Sequence, residues 1–256
     1  MMDVLTPVFR GEWEPYGAAV CCTPPPPKAM TLATLLTAPA LLAAALQAYA
    51  RHCGSSDLRP VASAWSRHYL DALLAPAVVA ATLLRHRFAL HHDQVWLELD
   101  ENGALRRFYL PDQGRPHDST NVGARYDTLL YQHLAPLFAA LARLSGVAPK
   151  ILWGNAARSI DSILSHIAPF ESAIGQPGLA AHDRQVLLDS PLGANGERNP
   201  LYSRPRFAPL PGAALNDHGE PVTLTLHRQC CLVYLMPPQD YCEACPLDPQ
   251  YCKKRA

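Results

Sequence analysis

The sequence predicts an α+β protein: a mostly helical body with a small antiparallel sheet, ending in a cysteine-rich segment. Three observations lead there. Apolar residues recur at helical spacing through much of residues 31–167, short β-prone runs crowd between Arg87 and Pro111, and four cysteines stand within the sixteen residues from Cys230 to Cys245.

Residues 1–28 show few periodic apolar positions and close on Pro24 to Pro27, so they are expected to form a flexible N-terminal segment. The body is expected over residues 29–221. Leu32, Leu35, Leu36, Leu42, Leu46 and Tyr49 mark two short helices with a break at Pro39. A third helical stretch, from Pro60 to His86, opens with proline at a tolerated first-turn position and is expected to be interrupted at Pro76. The runs RFALHH, VWLELD and LRRFYLP then read as strands, with Asp100 to Gly103 as a hairpin turn. Leu130, Leu134, Leu137, Leu141 and Leu144 predict a helix kinked at Pro136, and Ile151, Ile160, Ile163, Leu164 and Ile167 predict another. Residues 176–221 read as loop-rich with a helical turn near Asp183. PVTLTLHRQCC reads as a strand leading into the final segment, residues 222–256.

With 22 basic and 22 acidic residues among 256, nothing in the charge balance points to nucleic acid or an anionic membrane surface. Lys28 to Ala50 is apolar enough to suggest a targeting signal. It lies behind the tetraproline, lacks a basic cluster and carries Pro39 and Gln47, so that reading is set aside. Spanning a bilayer takes about 20 predominantly apolar residues, more than this run offers. A cytoplasmic protein with reduced thiols is the expectation.

The pattern Cys-Cys-x10-Cys-x2-Cys, formed by Cys230, Cys231, Cys242 and Cys245, is the chemical signal. Two residues between cysteines let both thiolates reach one metal from a tight turn, and Pro246 follows as in some iron-sulfur runs. Four thiolates satisfy either one tetrahedral zinc or a [2Fe-2S] cluster, and the spacing leaves both open. Disulfides would call for an oxidising compartment, and a thioredoxin-like pair for a βαβ context that is not visible. Cys53 reads as a packing cysteine and Cys252 as a stray thiol or a fifth ligand.

RQCCLVYLMPPQDYCEACPL resembles the C-terminal cluster motif of the FhuF-type siderophore-iron reductase family. AMTLATLL, VASAWSRHYLDALLAP, ILWGNAARSID and NGERNPLY are similar to stretches in the same order in that family. The resemblance implies that Cys230, Cys231, Cys242 and Cys245 hold a [2Fe-2S] cluster, with Cys242 and Cys245 the natural pair for one iron. His227 and Leu235 stand where the family is often basic.

The activity so implied is one-electron reduction of Fe(III) in an imported siderophore, a hydroxamate by expectation, releasing Fe(II). Hard anionic oxygens grip Fe(III) far more tightly than Fe(II), so a single electron unlocks the chelate. No acid-base triad is required. The donor is expected to be a ferredoxin or a flavoprotein, since no Gly-rich dinucleotide fingerprint is present. An inner-membrane siderophore importer is a candidate partner, which would put the protein on the cytoplasmic membrane face.

Arg228 and His227 are candidates to place positive charge or hydrogen bonds near the cluster, and His227 to supply a proton. Trp65, Tyr69, Trp153 and Asn155 are candidates for the substrate surface, although one turn between Trp65 and Tyr69 is also what a core stripe produces and an amide such as Asn155 also serves as a local cap. His91, His92 and Asp93 read as a turn before they read as ligands. The alternative reading is a zinc-stapled, non-redox siderophore-binding or transport-accessory protein. A siderophore-biosynthesis accessory domain is a third, and it would call for a nucleotide site.

Overall fold

The computed structural model describes residues 1–117, 120–171, 176–193, 196–210, 215, 219, 222–236 and 238–251. The body is built around α4 (Leu58–Thr82), whose buried residues lie on all its faces, from Pro60 to Thr82. A helix apolar all round belongs in the middle of a core. Asp57 caps its start, accepting from Arg59 N at 3.0 Å. Pro76 does not interrupt it: the proline is buried inside a helix that runs on for six residues to Thr82, its lost hydrogen bond offset by packing on every side.

Around α4 pack α1 (Glu14–Ala18), α3 (Pro39–His52), α6 (Ala135–Ser145), α7 (Pro149–Glu171) and α8 (Leu179–Arg184), while α2 (Leu32–Thr37) packs on α3 and α6, and α5 (Val122–Asp127) is tied to the end of α4 by Arg125 donating to Ala81 O. Pro39 separates α2 from α3 as expected, and Thr31 caps α2 through its hydroxyl to Thr34 N at 3.0 Å. The kink expected at Pro136 takes the form of a π-helical stretch, Thr128–Leu134, ahead of α6. Proline has no N–H to offer the carbonyl four residues back. That carbonyl, Gln132 O, is taken instead by His92, through its backbone N at 3.3 Å and Nδ1 at 2.8 Å.

The main sheet has the order β1 (Val20–Cys21), β5 (Leu105–Tyr109), β4 (Trp96–Leu99), β2 (Met30–Thr31). β4 and β5 form the expected antiparallel hairpin, whereas β1 joins parallel to β5, so the sheet is mixed. Gly103 closes the hairpin turn at φ +73, and a Cβ there would stand 2.2 Å from Ala45 O, so only glycine fits. Of RFALHH only Arg87 is in a strand, the end of β3 (His86–Arg87), which pairs with β6 (Arg115–Pro116).

Residues 1–28 differ from the expectation of a flexible segment. Met2, Leu5 and Phe9 are buried in the main core, and Val20 and Cys21 form the edge strand. Short 3₁₀ turns at Asp3–Leu5 and Gly11–Trp13 carry these residues and present no 3.6-residue period to read.

Candidate metal centre

β8 (Thr223–Leu226) pairs antiparallel with β7 (Arg206–Pro209) and hands the chain to the cysteines. His227 N donates to Ala244 O at 2.8 Å, drawing the end of the strand against the Cys-x2-Cys turn. That turn is closed by Cys245 N donating to Cys242 O at 2.9 Å. Leu232 adopts a left-handed φ of 63°, unusual for a residue with a branched side chain. The reversal aims backbone donors at sulfur: Leu232 N lies 3.3 Å from Cys230 Sγ, and Val233 N–H points to Cys231. Cys245 Sγ approaches Cys230 Sγ to 3.9 Å, and Cys242 also meets the Cys245 thiol. The sulfur contacts therefore do not single out Cys242 with Cys245.

The segment seats on α4 and α7. Gly154 of α7 has no side chain, and a Cβ there would fall 2.6 Å from Gln229 Cβ. One turn on, Arg158 Nη2 donates to Gln229 O at 2.9 Å, and from α4 Arg67 Nη1 reaches within 3.9 Å of Cys231 Sγ. Burial pushes the Cys231 thiol up, but Val233 N–H, Arg158 and Arg67 outweigh it and hold the thiol below its ordinary range. Burial and neighbouring thiol charge push Cys230 up to about 12 and Cys242 up to about 11. Ligation to a metal would release those protons.

These residues fit a thiolate-bound anionic metal group. Four sulfurs lie in one segment, with Cys230, Cys231 and Cys245 buried and Cys242 half-buried at the edge. Arg158 Nε is buried beside them and meets no hydrogen-bond partner among the described residues, a donor left for an anion. Cys245 meets both Cys230 and Cys242 through sulfur. A [2Fe-2S] cluster asks each iron for two protein sulfurs.

The cationic rim comes from elsewhere than the cysteine segment. Arg228 turns away from the sulfurs: its Nη1 donates to Leu188 O at 2.8 Å and to Ser203 O, and its Nη2 pairs with Asp189 at 2.7 Å. Burial, and then Arg158 and Arg67, lower the His227 pKa to about 4, which disfavours its cationic form. Arg67 and Arg158 take the part first read for Arg228 and His227. Both lie inside the family-like stretches, which was the signal available in the sequence.

Trp65 and Tyr69 are core residues, not a substrate wall. Trp65 Nε1 donates to Gly103 O at 2.8 Å, and the Tyr69 hydroxyl meets His133 Nε2 at 2.6 Å. Asn155 is buried and ties α7 to α4, its Nδ2 donating to Ser63 O, Ser63 Oγ and Ser66 Oγ at 3.2, 3.0 and 3.1 Å. Trp153, half-buried edge-to-face on Phe138, does line an open cavity. His91 pairs with Asp93 in the expected turn. Cys53 sits beside Tyr49, and Cys252 lies outside the described residues.

Two cavities flank the cysteine segment on the α7 face. One, of about 570 Å³, is lined by Arg158, Asp161, Arg184, Asp189 and His227. Its charges are largely matched: Arg184 bridges Asp161 and Asp189 at 2.7 and 2.8 Å. The other, of about 540 Å³, is lined by Lys150, Trp153, Arg198, Tyr202, Arg204 and Gln229, with no acidic residue in its wall among the described residues.

A family model described as ferric iron reductase FhuF-like transporter matches residues 63–215, and the FhuF 2Fe-2S C-terminal domain matches residues 228–247, the span that holds all four cysteines. The ferric siderophore reductase of Escherichia coli (strain K12) is 24% identical over 229 residues, covering 86% of this chain and 79% of that protein. Among solved structures, aerobactin synthetase IucA, bound to ATP, and IucC, both from a hypervirulent pathotype of Klebsiella pneumoniae, align with TM-scores of 0.47 and 0.45 at 14% identity. They cover 64% and 61% of this chain, which spans only 34% and 32% of theirs. The cofactor is a [2Fe-2S] cluster, and the zinc-staple alternative gives way to it.

Proposed function

This chain belongs to the FhuF-like ferric iron reductase family, and from that premise we propose that it reduces Fe(III) carried into the cytoplasm by a hydroxamate siderophore. Cys230, Cys231, Cys242 and Cys245 hold the [2Fe-2S] cluster in this reading. The observation that carries it is the convergence on one buried cysteine segment of two backbone N–H groups and the guanidiniums of Arg67 and Arg158.

When bound, the cluster supplies a one-electron reductant. The chain's own residues set the conditions for that chemistry. Leu232 N–H and Val233 N–H, with Arg67 and Arg158, offset negative charge on sulfur and favour the reduced state. Burial of Cys230, Cys231 and Cys245 excludes water, while Cys242 leaves one edge near the surface. The substrate is the ferric ion in its chelate, and because Fe(II) is softer and less charged it leaves the oxygen ligands once reduced.

A ferredoxin or flavoprotein supplies the electron, and a siderophore importer of the inner membrane delivers the chelate to this face. Among the described residues no helix is long and apolar enough to cross a membrane. The test is an anaerobic visible spectrum with iron and acid-labile sulfide counted per chain, followed by addition of a ferric trishydroxamate to the reduced protein. Reoxidation with release of Fe(II), together with loss of colour and activity in Cys242→Ser, is expected. A reduced protein that stays reduced in the presence of the chelate would overturn the substrate assignment, and an unbleached Cys242→Ser the ligand assignment.

A further inference from the structure

The two cavities beside the cysteine segment differ in charge balance. In the larger one Asp161 and Asp189 answer Arg184, and Asp189 also answers Arg228. In the other, Lys150, Arg198 and Arg204 present exposed cationic side chains, and among the described residues no carboxylate lines the wall. Trp153 and Tyr202, both half-buried, supply aromatic surface between them. The cavity of about 540 Å³ is of the size that takes a small-molecule ligand.

Its far wall is a built structure. Asn199 is buried and donates from Nδ2 to Leu187 O and Ser190 O, both at 2.9 Å, while its Oδ1 accepts from Leu201 N at 3.0 Å. Arg228 holds the same loop through Ser203 O. Arg198 and Arg204 therefore project from an anchored loop. Gln229, the neighbour of Cys230, forms the wall nearest the sulfurs.

A trishydroxamate around Fe(III) is neutral, since three hydroxamate anions cancel the ferric charge. A pocket whose three exposed cations, Lys150, Arg198 and Arg204, have no carboxylate beside them in its lining among the described residues gains nothing from that neutrality, whereas free carboxylates on the chelate would be paired by guanidinium. We infer that the cavity lined by Lys150, Trp153, Arg198, Tyr202 and Arg204 binds the ferric chelate and selects carboxylate-bearing, net-anionic chelates over neutral ones. The inference rests on the siderophore-reductase reading and names the substrate class within it.

The experiment uses gallium(III), which fills the same chelates and is not reduced. The holoprotein is titrated calorimetrically with a Ga(III) citrate-based dihydroxamate whose amine arms each bear a carboxylate, which stays free because the citrate carboxylate and hydroxyl fill the last two metal sites, and with a neutral Ga(III) trishydroxamate. The anionic chelate is expected to bind roughly tenfold more tightly at low salt, with the margin shrinking as salt is raised. Arg198→Glu/Arg204→Glu is expected to abolish that margin. Arg198→Gln/Arg204→Gln, which leaves two exposed neutral side chains, should show an intermediate margin. Equal affinities in the native protein, or a margin untouched by both variants, would overturn the inference. The same preparations, reduced and mixed with the Fe(III) forms, separate the two readings. Reoxidation without charge preference removes the pocket assignment alone, and absence of reoxidation by either chelate removes the reductase reading with it.

Discussion

Arg67 Nη1 stands 3.9 Å from Cys231 Sγ, bridging 164 positions of sequence between the central helix and the cysteine segment. Arg158 reaches the same segment from α7, through Gln229 O. A positive charge near sulfur stabilises an added electron, so removing one makes the centre harder to reduce. Arg67→Gln and Arg158→Gln are each expected to lower the midpoint potential on the order of 50 mV, close to tenfold in a one-electron equilibrium. Iron and sulfide content should stay at the native level. Redox titration followed by visible absorbance reads the shift, and an unmoved potential would make both arginines purely structural.

Gly154 is the contact that lets the cysteine segment lie on α7. Alanine in a helix interior is worth about 1 kcal/mol over glycine, so propensity alone favours Gly154→Ala. The clash at 2.6 Å with Gln229 Cβ opposes it, and a branched side chain enlarges it. Overpacking of this kind costs about 1–3 kcal/mol. Gly154→Val is therefore expected to lose iron faster to a chelator than the native protein. Iron release timed by loss of visible absorbance measures it; native release kinetics in the valine variant would mean that the segment is not seated by this contact.

Asn155 was first read as a substrate candidate, and its three hydrogen bonds make it a tie between helices instead. Asn155→Ala leaves the hydroxyls of Ser63 and Ser66 short of a donor in a buried place, at a cost of about 1–3 kcal/mol. Urea unfolding should show the midpoint falling with the slope unchanged. Chelate affinity in the surviving folded fraction should be native; a selective loss of affinity at native stability would return Asn155 to the substrate surface.

His133 is buried between Tyr69 and Leu90 O. A carbonyl only accepts, so Nδ1 carries the proton and Nε2 accepts from the Tyr69 hydroxyl. Burial lowers its pKa to about 4 from the ordinary 6.5. The unfolded chain thus binds the proton first, and the stability this group contributes is present above pH 6.5 and is lost as pH falls toward 4. The loss over that window is about 3 kcal/mol. His133→Gln, which preserves one donor and one acceptor, should flatten the fall in urea midpoint between neutral pH and pH 4.5. An identical slope in the variant would assign the acid sensitivity to other groups.

Local features of the sequence carried much of this molecule. Helical spacing over α2, α3, α6 and α7, the break at Pro39, the hairpin at Asp100 to Gly103 and the strand ahead of Cys230 depend on neighbours within a few residues, so period and turn chemistry report them. The cysteine spacing pointed to a metal for the same reason, since a tight turn is a local object. What had no local signal was decided by packing. Met2, Leu5 and Phe9 are held by the core rather than by a periodic helix, and Pro76 is tolerated because α4 is surrounded.

By itself the sequence determined the α+β composition, the cysteine quartet and the family-like stretches, because each is written in short-range order. Only the tertiary structure decided which charges face the sulfurs. Arg228, two residues from Cys230, is drawn off by Leu188, Ser203 and Asp189, while Arg67 and Arg158 arrive from helices that Asn155 locks together. A side chain's direction follows from the partners that packing brings within reach, and those partners lie tens to more than a hundred residues away.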